Sequence, residues 1–164
     1  MSMFDLLKVV VGPQTLSYQV EIAPGSPLYT SQDMESTNRV YQLLPAIASH
    51  VCVNPNGDTF QAVMANTEIA HLLEHVVIEL LAQTGRVGFV TGRTQRVHDA
   101  AGENVFETSL SCEDDTLTMA SLSAAIWLCE WAFAGGNAQT PNVEATVSGL
   151  SALIDKIDRV PSRR

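Results

Sequence analysis

Along the chain the spacing of apolar residues changes several times, and each change marks an element. Leu6 to Val11 is rich in β-branched residues, Gly12-Pro13 forms a turn and Leu16 to Ile22 alternates, which predicts a β-hairpin. Pro24-Gly25-Ser26-Pro27 interrupts the pattern, and a polar loop follows to Thr37, the expected N-cap of a helical stretch from Val40 to Ser49 that Pro45 bends or restarts. His50 to Val53 reads as a short strand stopped by the turn Asn54-Pro55-Asn56-Gly57, and Phe60 to Met64 as one helical turn. Residues 67–83 carry helical periodicity, with Asn66 or Thr67 as cap and Gly85 as terminator. Val87 to Val97 and Val105 to Cys112 predict a second hairpin around residues 98–104. Glu113-Asp114-Asp115 places negative charge before a helix from Leu117 to Phe133, and Gly135-Gly136-Asn137 ends it. Thr140-Pro141 opens a last helix with Val143, Val147, Leu150, Ile154 and Ile157 at helical spacing, and Arg159 to Arg164 is a basic tail read as disordered.

Strands and helices in this order do not alternate as βαβ units. The fold class expected is therefore α+β, a mostly antiparallel sheet covered on one face by helices. The expected division is a core over residues 1–136, a C-terminal helix over 137–158 packed on it, and the tail over 159–164.

The stretch over 67–83 has two unlike faces. At 100° per residue Ile69, Leu72, Leu73, Val76, Val77, Leu80 and Leu81 share one arc, and Glu68, His71, Glu74, His75 and Glu79 share the other. The first arc is expected to pack on the sheet, leaving the second to face a groove or a partner. An ordinary solvated face mixes Lys and Arg with Glu, whereas this one has two imidazoles, three carboxylates and no cation. His71-x-x-Glu74-His75 has the spacing of the inverted zinc-peptidase helix motif, in which histidines one turn apart reach a single ion and the glutamate handles the proton of a water. The same pattern also fits an amphipathic helix that happens to carry two histidines.

Composition narrows the remaining choices. A chain of 164 residues with 46% hydrophobic and 16% charged residues builds a real core. A net charge of −9 with nine basic residues argues against a nucleic-acid surface and suits cationic ligands. Cys52, Cys112 and Cys129 are dispersed, form no Cys-x-x-Cys pair and fit a reducing cytoplasm. No apolar run is read as approaching the roughly 18 residues of a membrane span, and the N-terminus lacks a signal-peptide pattern.

The stretch His71-Leu72-Leu73-Glu74-His75-Val76-Val77-Ile78-Glu79-Leu80 resembles part of the N-terminal domain of cyanophycin synthetases. Leu44-Pro45-Ala46-Ile47-Ala48-Ser49-His50-Val51-Cys52, Phe60, Thr67, Val87-Gly88-Phe89, Gly92-Arg93-Thr94 and Phe106-Glu107 extend the similarity over nearly the whole chain. Ala70 stands where that family usually has Gly, and Val90-Thr91 lengthens the segment before Gly92. The resemblance implies a domain that holds an arginine-decorated aspartyl polymer or, in some members, cuts it at a metallopeptidase-like site. The ATP-grasp and ligase domains of the synthetases are not in this sequence.

The expected function is thus a zinc-dependent hydrolase acting on a cationic or isopeptide-containing polymer such as cyanophycin. The alternative is a non-catalytic binding or assembly module, and a metal-binding protein without hydrolytic chemistry is a third class. His71, His75 and Glu79 are expected to hold Zn²⁺, Glu74 to act as general base and Arg93 to bind substrate. Glu79 rises roughly 12 Å along the helix from His71, so it also reads as a residue that orients a histidine, with Glu107, Asp114 and Glu144 as other candidates for the third ligand. His50 and Cys52 could approach the site, although a strand-end histidine and a buried cysteine are more often packing residues; His98 reads as solvated, and Trp127 and Trp131 as core or interface. Expected partners are the polymer, a separate ligase subunit and a second copy of the chain, with no nucleic acid and no membrane.

Overall fold

The structure is a computed structural model that describes residues 2–98, 102 and 104–160. Its main sheet holds β1 (Phe4–Val11), β2 (Thr15–Ile22), β5 (Gly92–Arg96) and β6 (Val105–Ser111) in the order β1-β2-β6-β5, all pairs antiparallel. Both expected hairpins are present, with the second inserted so that β6 pairs with β2 from Thr15↔Ser111 to Glu21↔Val105. Strict alternation turns Leu16, Tyr18, Val20 and Ile22 of β2 and Phe106, Thr108 and Leu110 of β6 inward, where all are buried. β5 is shorter than the expected 87–97 strand, because residues 87–91 pass the end of the sheet without strand structure. The loop expected at 98–104 lies partly outside the described residues, as do Pro161 to Arg164 of the tail.

Among the described residues four α-helices complete the α+β fold: α1 (Met34–Leu43), α2 (Ile69–Thr84), α3 (Asp115–Phe133) and α4 (Val143–Asp158). All four starts differ from the sequence reading, and in α1, α3 and α4 a side-chain cap explains the shift; Asp114, accepting from Leu117 N at 2.8 Å, starts α3 at Asp115 rather than Leu117. Asp33, whose carboxylate accepts from Ser36 N at 3.0 Å, begins α1 ahead of Thr37, and Pro45–Ser49 forms a separate 3₁₀ turn. Asn142, rather than Thr140, caps α4 by accepting from Ala145 N at 2.9 Å. Glu68 occupies the N-cap of α2 without a side-chain cap bond, so neither Asn66 nor Thr67 plays that role. At the other end Gly85 closes α2 in the left-handed conformation, φ 65°, as expected.

α2 is the central helix, packed on α3 and α4 and against β5 and β6. Every member of its apolar arc is buried, and so are Glu74, His75 and Glu79 of the polar arc. That face borders a cleft, and a segment over 45–64 covers part of it. This segment comprises the 3₁₀ turn Pro45–Ser49, a small hairpin of β3 (Val51–Asn54) and β4 (Gly57–Thr59), and a 3₁₀ turn at Phe60–Ala62. β4 was not legible as a strand, because three residues show no period. The 19-residue α3 is long and apolar enough by length and composition to cross a membrane, contrary to the sequence reading. Here it is a core helix, with Leu117, Leu122, Ala125, Leu128 and Ala132 buried.

Candidate metal centre

Three donor atoms converge between α2 and the covering hairpin. The one-turn spacing of His71 and His75 sets their Nε2 atoms 3.1 Å apart, and Cys52 of β3 brings Sγ to 3.5 Å from Nε2 of His71. The ligand atoms of Cys52, His71 and His75 all lie within 4.8 Å of one another. The separations can be compared with a tetrahedral centre having Zn–N bonds near 2.05 Å and a Zn–S bond near 2.3 Å, whose N···N edge is about 3.4 Å and N···S edge about 3.6 Å. The donor set, two imidazoles and a thiol, is one that zinc and other borderline-soft metals favour. On both counts the residues fit a metal.

The local sequence explains why Cys52 arrives there. Asn54 donates to the carbonyl oxygens of Cys52 (2.7 Å) and Thr59 (3.1 Å) and accepts from Asn56 N (2.9 Å), so one side chain ties the β3–β4 turn together. Phe60 N donates to His50 O at 3.0 Å and closes the segment behind it. The fully buried Phe60 ring lies over His75 at 4.1 Å between centroids and meets His71 edge-on at 5.2 Å. It walls off one side of the cluster.

Burial shapes the titration of these groups. His75 is pushed down to about 2 by desolvation and then by the neighbouring His71 and His50, and desolvation also lowers His71, against the pull of Glu68. Desolvation raises the Cys52 thiol, partly offset by Asn54, and Glu74 raises it further. Neutral imidazoles are ligands in waiting, and a bound cation would draw the thiol into its thiolate form.

Glu74 is not among the converging donors. Its Oε2 accepts from Thr94 Oγ1 at 2.6 Å, and Thr94 in turn meets Thr108 Oγ1 at 2.7 Å. Its Oε1 lies where Gly92 leaves room, since a Cβ on Gly92 would sit 2.5 Å from it. Desolvation lifts the Glu74 carboxyl to about 7, against the hydrogen bond from Thr94 and the attraction of His50. Glu74 borders the same cleft as the three donors, a space of about 960 Å³ whose walls also include Arg93 and Glu68. Val51, Val53 and Phe89 give it an apolar, exposed rim.

The other expected ligands lie elsewhere. Glu79 bonds His50 Nε2 at 2.7 Å through Oε2 and accepts from Gln83 through Oε1, and it is not a member of the donor cluster. Burial alone would raise its pKa, but His50 and Gln83 outweigh that and hold it below the usual carboxylate value. Glu107 accepts from Gln19 on the far face of the sheet, Asp114 caps α3 by accepting from Leu117 N, and Glu144 sits in the first turn of α4. Cys52 and His50, for which the sequence favours packing over an approach to the site, are both brought to it. Their His-x-Cys spacing, with His50 just ahead of β3 and Cys52 within it, is the available signal.

A family model for the cyanophycin synthase-like N-terminal domain matches residues 19–133. The chain belongs to that family. The matched region runs from β2 to the end of α3 and so contains the whole donor cluster, Glu74 and the β5 residues beside it. A comparison with curated proteins finds no match.

Proposed function

We propose that this domain is a zinc-dependent hydrolase that cuts amide or isopeptide bonds in a cationic polymer of the cyanophycin type. The observation that carries the reading is the convergence of Cys52, His71 and His75 in a cleft that Glu74 also borders. Three protein ligands with a fourth position free is the arrangement of catalytic rather than structural zinc. Bound there, zinc would supply Lewis acidity toward a carbonyl oxygen and toward water.

The remaining work falls to the chain itself. Glu74 takes a proton from the attacking water on Oε1, with Oε2 anchored by Thr94, and passes it to the leaving amine. Gly92 leaves the space that Oε1 occupies. Arg93, exposed on β5 at the cleft wall, is placed to meet a substrate carboxylate. The net charge of −9 favours approach of an arginine-decorated chain, and the free thiol of Cys52 accords with a reducing cytoplasm.

The test is incubation of the purified protein with an aspartate-backbone polymer carrying isopeptide-linked arginine. The expected result is shortening of the polymer, abolished by a chelator and restored by zinc. If neither this polymer nor simpler peptides are cleaved with zinc present, the hydrolase reading fails and the binding-module reading takes its place.

A further inference from the structure

A second row of contacts runs behind the donor cluster, from Glu79 through His50 to His75. Glu79 Oε2 lies 2.7 Å from His50 Nε2, and His50 Nδ1 lies 3.0 Å from His75 Nδ1. An ionised carboxylate only accepts, so Nε2 of His50 carries a proton, and a His50 ring with that single proton turns the lone pair of Nδ1 toward His75. His75 must then carry its proton on Nδ1 and present the lone pair on Nε2, the atom that faces His71 Nε2. His71 is held from its other side: Thr67 Oγ1 donates to Glu68 Oε2 at 3.3 Å and so accepts from His71 Nδ1 at 2.8 Å.

We propose that Glu79 and His50 are positioning residues that fix the tautomer of His75, so that Nε2 is available to a metal before the metal arrives. The inference rests on the metal-site reading given above. It places His50 directly behind a ligand histidine and Glu79 behind His50, two residues removed from the ion. Tilted ring contact between His50 and His75, with centroids 5.2 Å apart, leaves little freedom for His75 to turn and present Nδ1 instead. Such outer partners of ligand histidines typically contribute 10- to 100-fold in metal affinity.

Two variants and two readouts test this. Glu79→Leu removes the acceptor. Glu79→Gln keeps one in its amide oxygen, with the Gln83 amide free to turn and match it. Zinc dissociation constants, measured by competition with a chromophoric chelator on protein whose fold is checked by its melting curve, should be weakened about 10- to 100-fold in Glu79→Leu. Glu79→Gln should remain close to wild type. Imidazole ¹⁵N shifts of the metal-free wild type should place the His75 proton on Nδ1, a readout that needs no variant to fold. A His75 proton on Nε2 in the wild type overturns the proposal, as does a folded Glu79→Leu protein with unchanged affinity. A wild type that binds no zinc overturns the metal reading together with this one, so the two failures are distinguishable.

Discussion

Val76→Asp is expected to abolish cooperative folding. Val76 lies on the apolar arc of α2 with no exposure, inside the continuous core that joins α2 to the sheet and to α3. An aspartate there would be a buried charge with no cation to meet it, since α2 carries none. The cost, on the order of 4 kcal/mol or more, is comparable to the whole stability of a small domain. Glu68→Gln, at the partly exposed start of the same helix, should shift stability by no more than about 0.5 kcal/mol. Thermal or urea unfolding of the two variants beside wild type checks the assignment, and a cooperative transition in Val76→Asp at the wild-type midpoint would contradict it.

Glu74→Gln should keep the fold and the metal while losing hydrolysis by a factor on the order of 10² to 10⁴. Glutamine has nearly the size of glutamate, so Gly92 still accommodates it, and its amide oxygen still accepts the hydrogen bond from Thr94. It cannot take a proton from water at neutral pH. Steady-state rates on the arginine-decorated polymer, with metal content measured on the same samples, separate proton transfer from metal loss. Equal rates in wild type and variant would mean that another group is the base.

The two-faced pattern of residues 67–83 identified α2 and the pairing of His71 with His75, because one-turn proximity follows from helix geometry alone. The α+β class and the main strands were legible for a similar reason, since alternation reports a half-buried face. What the pattern did not carry was the fate of the polar arc. His75 and Glu79 are buried against His50 and the 45–64 segment, and Glu74 against Gly92 and Thr94 of β5, tertiary events with no trace in the periodicity of α2 itself. The third donor is hard to rank for the same reason: Cys52 is 19 residues from His71 in sequence, so its approach to the site carries less weight there than a carboxylate farther downstream. Glu79 was weighed both as a ligand and as a residue that orients a histidine, and its 2.7 Å contact with His50 places it beside that histidine. Helix starts were misplaced where a polar residue nearer the helix, Asp33 or Asn142, outcompeted the one chosen.

The central claim is that Cys52, His71 and His75 form one metal site. Elemental analysis of protein purified without chelators, for wild type, His71→Ala, Cys52→Ala and Glu107→Ala, tests it most directly. Wild type and Glu107→Ala should carry about one transition metal per chain, zinc foremost, and His71→Ala and Cys52→Ala should lose nearly all of it. Equal metal in all four proteins, or none in the wild type, would contradict it.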